Sequence, residues 1–590
     1  MRRESVGLGP FLEVLEQRLD ALSGQQLREI LVDHATRLPA GERAGFLALF
    51  DRPPGGNESS GRSGDPGDAT LLSDVDAFVA DIAAGVYVDG WGYDPDYREH
   101  RAFGDETWTF ELDHLLDRAG LALLAGDATT ARVAYRQLFD AMEDEYDEGG
   151  FPGAGTPQEL VATDMGESKH RYLRAVWDSE PTTTRAAALL EAIEDTVYVG
   201  AGASLAMLEA TRREPLADLD AVLPELIAQL AAVPAGYGFG TQARRLLAEA
   251  TERHGGVDGL AALARTPGDQ QADAYRDWID GLVRSGRLDD AVQAAGEALD
   301  RLEAEGRVVA AIAERSALLA AGDGDDEAVL AAHQTAWRAD PTLERLLALI
   351  DVATALGERD IVLATEASRT DGEPILQRPD LAAGLLLLAG RTDDAVRLVD
   401  AADDVGWDGG GHPAPVVVPF LLVGASSATH DERWGDSLLL ELLDRANNAG
   451  WPHDRLRPDD GLDTLHATLA EQEPLAIGRY HALPHDDLLL STLLTDRLER
   501  HPPQADERQR WLSTARRFVD ARIDTVVGGQ HRAAYARAAH LAAACAEAIA
   551  LATTPDDAGT YLDDLHARYP RHSLFRRELR AIADQSPLRS

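Results

Sequence analysis

Few residues in this chain have the types and spacing that chemistry needs. The densest group is His481-Ala482-Leu483-Pro484-His485-Asp486-Asp487, where His481, His485 and Asp486 could ligate a divalent metal and serve a hydrolase. Pro484 breaks the helix that would align the two imidazoles at i and i+4, so ligation there would depend on a loop. His and Asp just ahead of a helix also serve as caps. Glu111-Leu112-Asp113-His114 sets a carboxylate and an imidazole on one helical face, as in di-iron bundles, but the second Glu-x-x-His and the further glutamates of those sites are missing. Neither Gly-x-Ser-x-Gly nor His-Glu-x-x-His occurs, and carboxylate pairs carry little information among 102 acids. Lys169 is the single lysine, which excludes a phosphate loop and leaves one exposed-looking position for a Schiff base. Gly200-Ala201-Gly202 and Gly236-Tyr237-Gly238-Phe239-Gly240 follow no strand pattern and read as turns. Cys545 sits on an apolar helical seam and reads as a core residue rather than a nucleophile. The expectation is a non-catalytic protein with no metal and no cofactor.

Two stretches have the chemistry of recognition. Tyr87-Val88-Asp89-Gly90-Trp91-Gly92-Tyr93-Asp94-Pro95-Asp96-Tyr97 interleaves four aromatics with acids and glycines and reads as an aperiodic loop. Trp91, Tyr93 and Tyr97 could hold a cationic ligand or a partner's basic segment, or their rings could plug the seam between helical hairpins. Near the other end Arg516, Arg517, Arg522, Arg532 and Arg537, then Arg568, Arg571, Arg576, Arg577 and Arg580, reverse the local sign of charge. Arg532, Arg537, Arg576 and Arg577 are candidates for docking an acidic partner or an RNA segment, against the alternative of ion pairs within the chain.

That reversal stands out because the 590 residues carry 102 acids against 56 Lys and Arg, a net charge of −46. Such a surface repels phosphate backbones and disfavours sequence-independent nucleic-acid binding. Carboxylates in excess with almost no lysine suit a high-salt cytoplasm, where screening relieves self-repulsion; a coding bias toward arginine is the alternative reading. A single cysteine precludes a disulfide framework, Met1-Arg2-Arg3 lacks the apolar core of a signal peptide, and no stretch has the length of a membrane span. A cytoplasmic protein is expected.

The elements that would position these residues are helices in repeat. Gly286-Arg287-Leu288-Asp289-Asp290-Ala291-Val292 returns as Gly390-Arg391-Thr392-Asp393-Asp394-Ala395-Val396. With weaker copies between, Val292, Val329, Val362 and Val396 stand 37, 33 and 34 residues apart, the period of a tetratricopeptide-like solenoid. Leu288, Ala291, Val292, Ala295, Ala298, Leu299 and Leu302 form the apolar face, glycine ends the first helix, and the aspartates open the second. Asp340-Pro341 is expected to cap and start a helix. The fold class is therefore all-α, stacked helical hairpins. Its divisions are an N-terminal helical segment at 1–51, a linker at 52–70, a hairpin domain at 71–270, the repeat array at 271–405 and a C-terminal helical domain at 406–590. The expected function is a scaffold or adaptor whose concave surface, lined by successive first helices, binds a protein partner. A metal-dependent hydrolase around 481–487 and a nucleic-acid-associated factor are the alternatives.

A family resemblance adds to this. Trp511 to Leu579, with Gln530-His531-Arg532-Ala533-Ala534-Tyr535-Ala536-Arg537 and Arg568-Tyr569-Pro570-Arg571, resembles the C-terminal helical region of uncharacterised prokaryotic proteins, some of which carry a SWIM-type zinc finger. Leu22-Ser23-Gly24-Gln25-Gln26-Leu27-Arg28-Glu29-Ile30-Leu31 is similar to their helical start. The resemblance implies an α-helical repeat scaffold; the cysteine and histidine ligands of the finger do not occur in this chain.

Overall fold

The computed structural model describes residues 66–94, 99–148, 151–152, 156–303, 306–369, 378–402, 407, 411–426, 437–449 and 488–586. The expected all-α class of stacked helical hairpins holds, with, among the described residues, one β-hairpin as the exception. The chain divides after Gln271 into two compact units.

In the second unit the repeated sequence is a turn. Gly286 and Gly390 adopt φ of +74° and +79°, the left-handed region a Cβ disfavours. Each closes its helix with the same pair of bonds: Gly286 N–H to the Val283 carbonyl and Arg287 N–H to Leu282, Gly390 N–H to Leu387 and Arg391 N–H to Leu386. Gly324 and Gly357 end the intervening first helices in the same way. The following arginine then reaches the second aspartate, Arg287 Nε to Asp290 at 2.7 Å and Arg391 to Asp394, which fixes both acids in the first turn of the next helix.

Two local expectations need correction. Val292 is exposed, and the buried face of helix Leu288–Arg301 is Ala291, Ala294, Ala295 and Ala298, all small, so the neighbouring helix approaches closely. Helix Leu343–Ala355 is capped by Thr342, whose side chain accepts from Arg345 N–H; Asp340 ends the preceding helix instead.

Successive first helices are tied by arginine forks. The fully buried Arg315 grips Asp280 with Nε at 2.7 Å and Nη2 at 3.0 Å, and Arg345 binds Glu314 at 2.6 Å. These are polar side chains of the surface expected to face a partner, and they are engaged with one another.

Beyond the array the unit closes around helix Ala414–Ser426, which is apolar on every side and buried along nearly its whole length. It packs against Pro379–Leu388, Leu438–Asp444, Ala505–Ile523 and Tyr535–Ala552, so this part is a bundle rather than a one-dimensional stack. The seam Tyr535, Ala538, Ala542, Cys545 and Ile549 is buried as its spacing predicts.

In the first unit, helix Pro66–Ala83 begins inside the stretch read as linker. It packs on the hairpin Trp108–Leu124 and Ala128–Glu148, which in turn covers helix Met165–Ser179. Arg185–Asp195 and Leu205–Ala210 enclose that helix further, and Leu219–Ala231 with Phe239–Ala264 complete the stack.

Candidate functional site

The aromatic tract is paired rather than aperiodic. Val88–Asp94 and Glu99–Gly104 form an antiparallel hairpin in which Trp91 faces Ala102, Gly92 faces Arg101 and Tyr93 faces His100. Its glycines admit close approach: the Phe103 ring lies over Gly92, and a Cβ on Gly104 would overlap the Tyr87 carbonyl. Tyr87 does the anchoring, half-buried beside Phe78 with its hydroxyl donating to Glu111 at 2.8 Å; burial and that carboxylate push its phenol up to about 12. Trp91 does not plug a seam. It is 61% exposed, and Val86 and Phe110 beside the hairpin are 62% and 75% exposed. Tyr97 and the Tyr93 side chain lie outside the described residues.

The C-terminal arginines do not form one patch. Arg516 stacks over Tyr561 at 4.8 Å and lies 3.7 Å from Asp520, Arg568 lies 3.7 Å from Asp524, and Arg517 binds Asp400 at 2.7 Å. Arg577 pairs with Glu578 at 2.9 Å, and Arg576 donates toward His566 and the Pro570 carbonyl, both at 3.4 Å. Arg532 is exposed on a single 3₁₀ turn.

Arg537 belongs elsewhere. With Arg445 and Arg522 it lines a half-open cavity of about 80 Å³ in the C-terminal bundle. Pro415, Val418 and Pro419 from the buried apolar helix form one wall, Leu442 and Leu541 another, and Val526 and Trp407 the rest. The wall bearing Arg522 and Val526 leaves regular helix: Asp524–Gly528 is a π turn, and Gln530 holds a φ of +60°. Arg522 lies 5.7 Å from the Trp407 ring centre, and the positive charge of Arg445 adds to burial in pushing His540 below the usual histidine range. Sequence reading gathered Arg522 and Arg537 by sign alone and passed over Arg445, which stands far from them along the chain.

The exposed reading of Lys169 is wrong. It is fully buried on helix Met165–Ser179, with Nζ donating to the Thr196 carbonyl at 2.8 Å and to Gln242 Oε1 at 3.0 Å. Desolvation lowers its pKa to about 8. Neighbouring donors on the helix act alike: His170 Nε2 donates to Gly202 O, Arg174 Nη2 to Glu214 O and Pro215 O, and Trp177 Nε1 to Ala217 O. Arg174 also forks onto Asp178 at 3.0 Å, and Arg212 holds the same carboxylate at 2.8 Å. Burial makes this a set of internal ties rather than an accessible amine for imine formation.

His481, His485 and Asp486 lie outside the described residues. Among the described residues no group of three or more His, Cys, Asp or Glu side chains is placed to hold a metal. Asp113 accepts from the Ala162 and Thr163 N–H groups. The Cys545 thiol is pushed up to about 12 by burial, which keeps it protonated. No described helix is long and apolar enough to cross a membrane.

No family model and no curated protein matches the sequence. Among solved structures the chain is similar to a "Circular tandem repeat protein with novel repeat topology and enhanced subunit contact surfaces", at 13% identity over 88% of this chain and 97% of that one, with a TM-score of 0.16. At that score the superposition carries no argument, and the helical-repeat assignment rests on the elements themselves.

Proposed function

We propose that this protein is a non-catalytic helical-repeat scaffold that holds a partner protein, with the hairpin Val88–Gly104 as its principal docking element. The observation carrying this reading is the 61% exposure of Trp91 on a paired strand, which sets a large aromatic ring in water. Such rings are common energetic anchors of protein interfaces. Val86 and Phe110, next to the hairpin in the chain, are exposed apolar side chains as well, and Asp89, Asp105 and Glu106 near them are exposed acids. The fitting partner is a segment with apolar side chains flanked by basic ones. The ion pairs tying Arg315 and Arg345 to neighbouring helices place less of the recognition on the array. Net charge and the near-absence of lysine support action in a cytoplasm of high ionic strength.

The test is affinity purification of the tagged full chain from its host at working salt, beside Trp91→Ala and the double variant Trp91→Ala/Phe110→Ala. Both variants should melt with the parent, and the double variant should retain a tenth or less of the co-purifying protein. Full retention of the partner by the double variant, or stoichiometric metal in the purified protein, overturns the reading.

A further inference from the structure

Helix Trp108–Leu124 has two faces with large apolar side chains. One, carrying Leu112, Leu115, Leu116, Ala119 and Leu123, is buried in the first unit. The other meets solvent: Phe110 is 75% exposed, Leu121 56% and Leu124 37%, with the exposed His114 and Asp117 between them. Positions 110, 114, 117, 121 and 124 step by four, three, four and three residues, so at about 100° per residue they fall within an arc of about 80° and make a single stripe. That spacing is the seam of a helix pair, d-a-d-a-d of the heptad. Exposed leucines scattered singly are ordinary, whereas three large apolar residues in register on one face, with polar residues at its centre, form a second packing surface.

The stripe is complementary to itself when read backwards. In an antiparallel pair each a residue packs beside a d residue of the other helix. With the two-fold axis between positions 114 and 117, Phe110 meets Leu121 of the second copy, His114 meets Asp117 of the second copy, and both contacts recur across the axis. We infer that the protein self-associates through this face, with helix Trp108–Leu124 of two copies lying antiparallel. Apolar layers stand at both ends, and in the middle two imidazole N–H groups donate to two carboxylates, which fixes register and orientation as a polar core position does in a coiled coil. A parallel pair would set Asp117 against Asp117, and the like charges oppose it. The net charge of −46 repels a second copy at long range; at molar salt the Debye length is about 3 Å, so that repulsion is screened and the contacts of the seam survive. The stripe spans about 21 Å from Phe110 to Leu124, short enough for a weak, reversible dimer with Kd on the order of tens of micromolar. The inference goes beyond the docking role of the hairpin and shares Phe110 alone with it.

Analytical ultracentrifugation of the full chain from about 1 to 200 µM in about 2 M KCl tests this. The parent should pass from monomer to dimer over that range. His114→Asp sets carboxylate against carboxylate in both central pairs, and Asp117→His leaves imidazole against imidazole; each should weaken the dimer at least tenfold. The double variant His114→Asp/Asp117→His restores both pairs with the roles exchanged and should dimerise within a few-fold of the parent. Leu121→Asp should abolish the dimer. These substitutions are at exposed positions, and far-UV circular dichroism checks that each variant is folded; the exchange of His114 and Asp117 carries the test if Leu121→Asp is not. Trp91→Ala should dimerise as the parent does, and the exchanged double variant should retain the co-purifying partner, so failure of the seam and failure of the docking reading are told apart. A monomer at the highest concentration overturns the inference and leaves the face to a helix of another protein. A dimer that persists in folded Leu121→Asp, or a double variant no better than the single ones, overturns it as well.

Discussion

Each unit buries a helix, and the two are chemical opposites. Ala414–Ser426 in the second unit offers valine, leucine and phenylalanine to neighbours that are themselves helices, with their backbone groups already paired. Met165–Ser179 in the first unit carries Ser168, Lys169, His170 and Arg174 into its interior. The difference lies in what surrounds them. The polar helix is flanked by Thr196–Ser204 and Thr211–Asp218, stretches with little helix whose carbonyls need donors once buried. Its long side chains supply them, converting irregular loop into fixed structure. A buried polar side chain here does the work that a helical ladder does elsewhere.

Breaking the most connected tie should have the largest effect. Arg174→Ala removes a fork to Asp178 and two carbonyl partners at once, and should cost about 3–5 kcal/mol in denaturant unfolding of the first unit. Arg174→Met, similar in length, should recover little of it. On the apolar helix, Leu421→Ala should cost a comparable ~2–5 kcal/mol, yet Leu421→Met less than about 1.5, because volume is what matters there. That contrast in rescue by methionine would fail if the two helices were held by the same physics.

Lys169 sharpens the comparison through pH. Its folded pKa of about 8 lies below the ordinary 10.5, so between those values the unfolded chain holds more protons and stability rises with pH. The full rise is about 3 kcal/mol, complete near pH 10.5; below pH 8 both states are protonated and the penalty is constant. Lys169→Met should flatten this segment of the profile, measured by unfolding at a series of pH values, whereas Leu421→Ala should leave its shape intact. The smallest effects belong to the array joints. Gly286→Ala should cost about 1–2 kcal/mol from its positive φ alone, and Gly390→Ala somewhat more because the new Cβ also meets the Arg497 guanidinium.

Val416 to Val423 is an apolar run interrupted by Pro419, which suits either a buried helix or a short strand, so its burial was legible in the sequence and its helical form was not. The joints were legible because a left-handed glycine and a pair of first-turn aspartates are local requirements. The interior of the first unit was not. Periodicity sorts polar from apolar and assigns Lys169 to water, whereas its partners Thr196 and Gln242 arrive from far along the chain. The hairpin escaped for a related reason: Glu99–Gly104 carries no strand composition, and pairing with Val88–Asp94 is what makes it a strand. The cavity of the second unit is assembled from positions 407 to 541, so it exists in three dimensions alone.

The glycine joints also bear on the order in which the chain matures during synthesis. Each closes between residues no more than five apart, as Arg287 N–H to Leu282 O, so loop-closure entropy is small and a hairpin of the array can complete as soon as it is made. Helix Ala414–Ser426 has no such independence, since one of its covers, Tyr535–Ala552, is translated long afterward. Over that interval the most hydrophobic helix among those described waits without its full shelter. The array beside it in sequence is acidic, and like charge of that kind opposes association between chains while an apolar helix is uncovered.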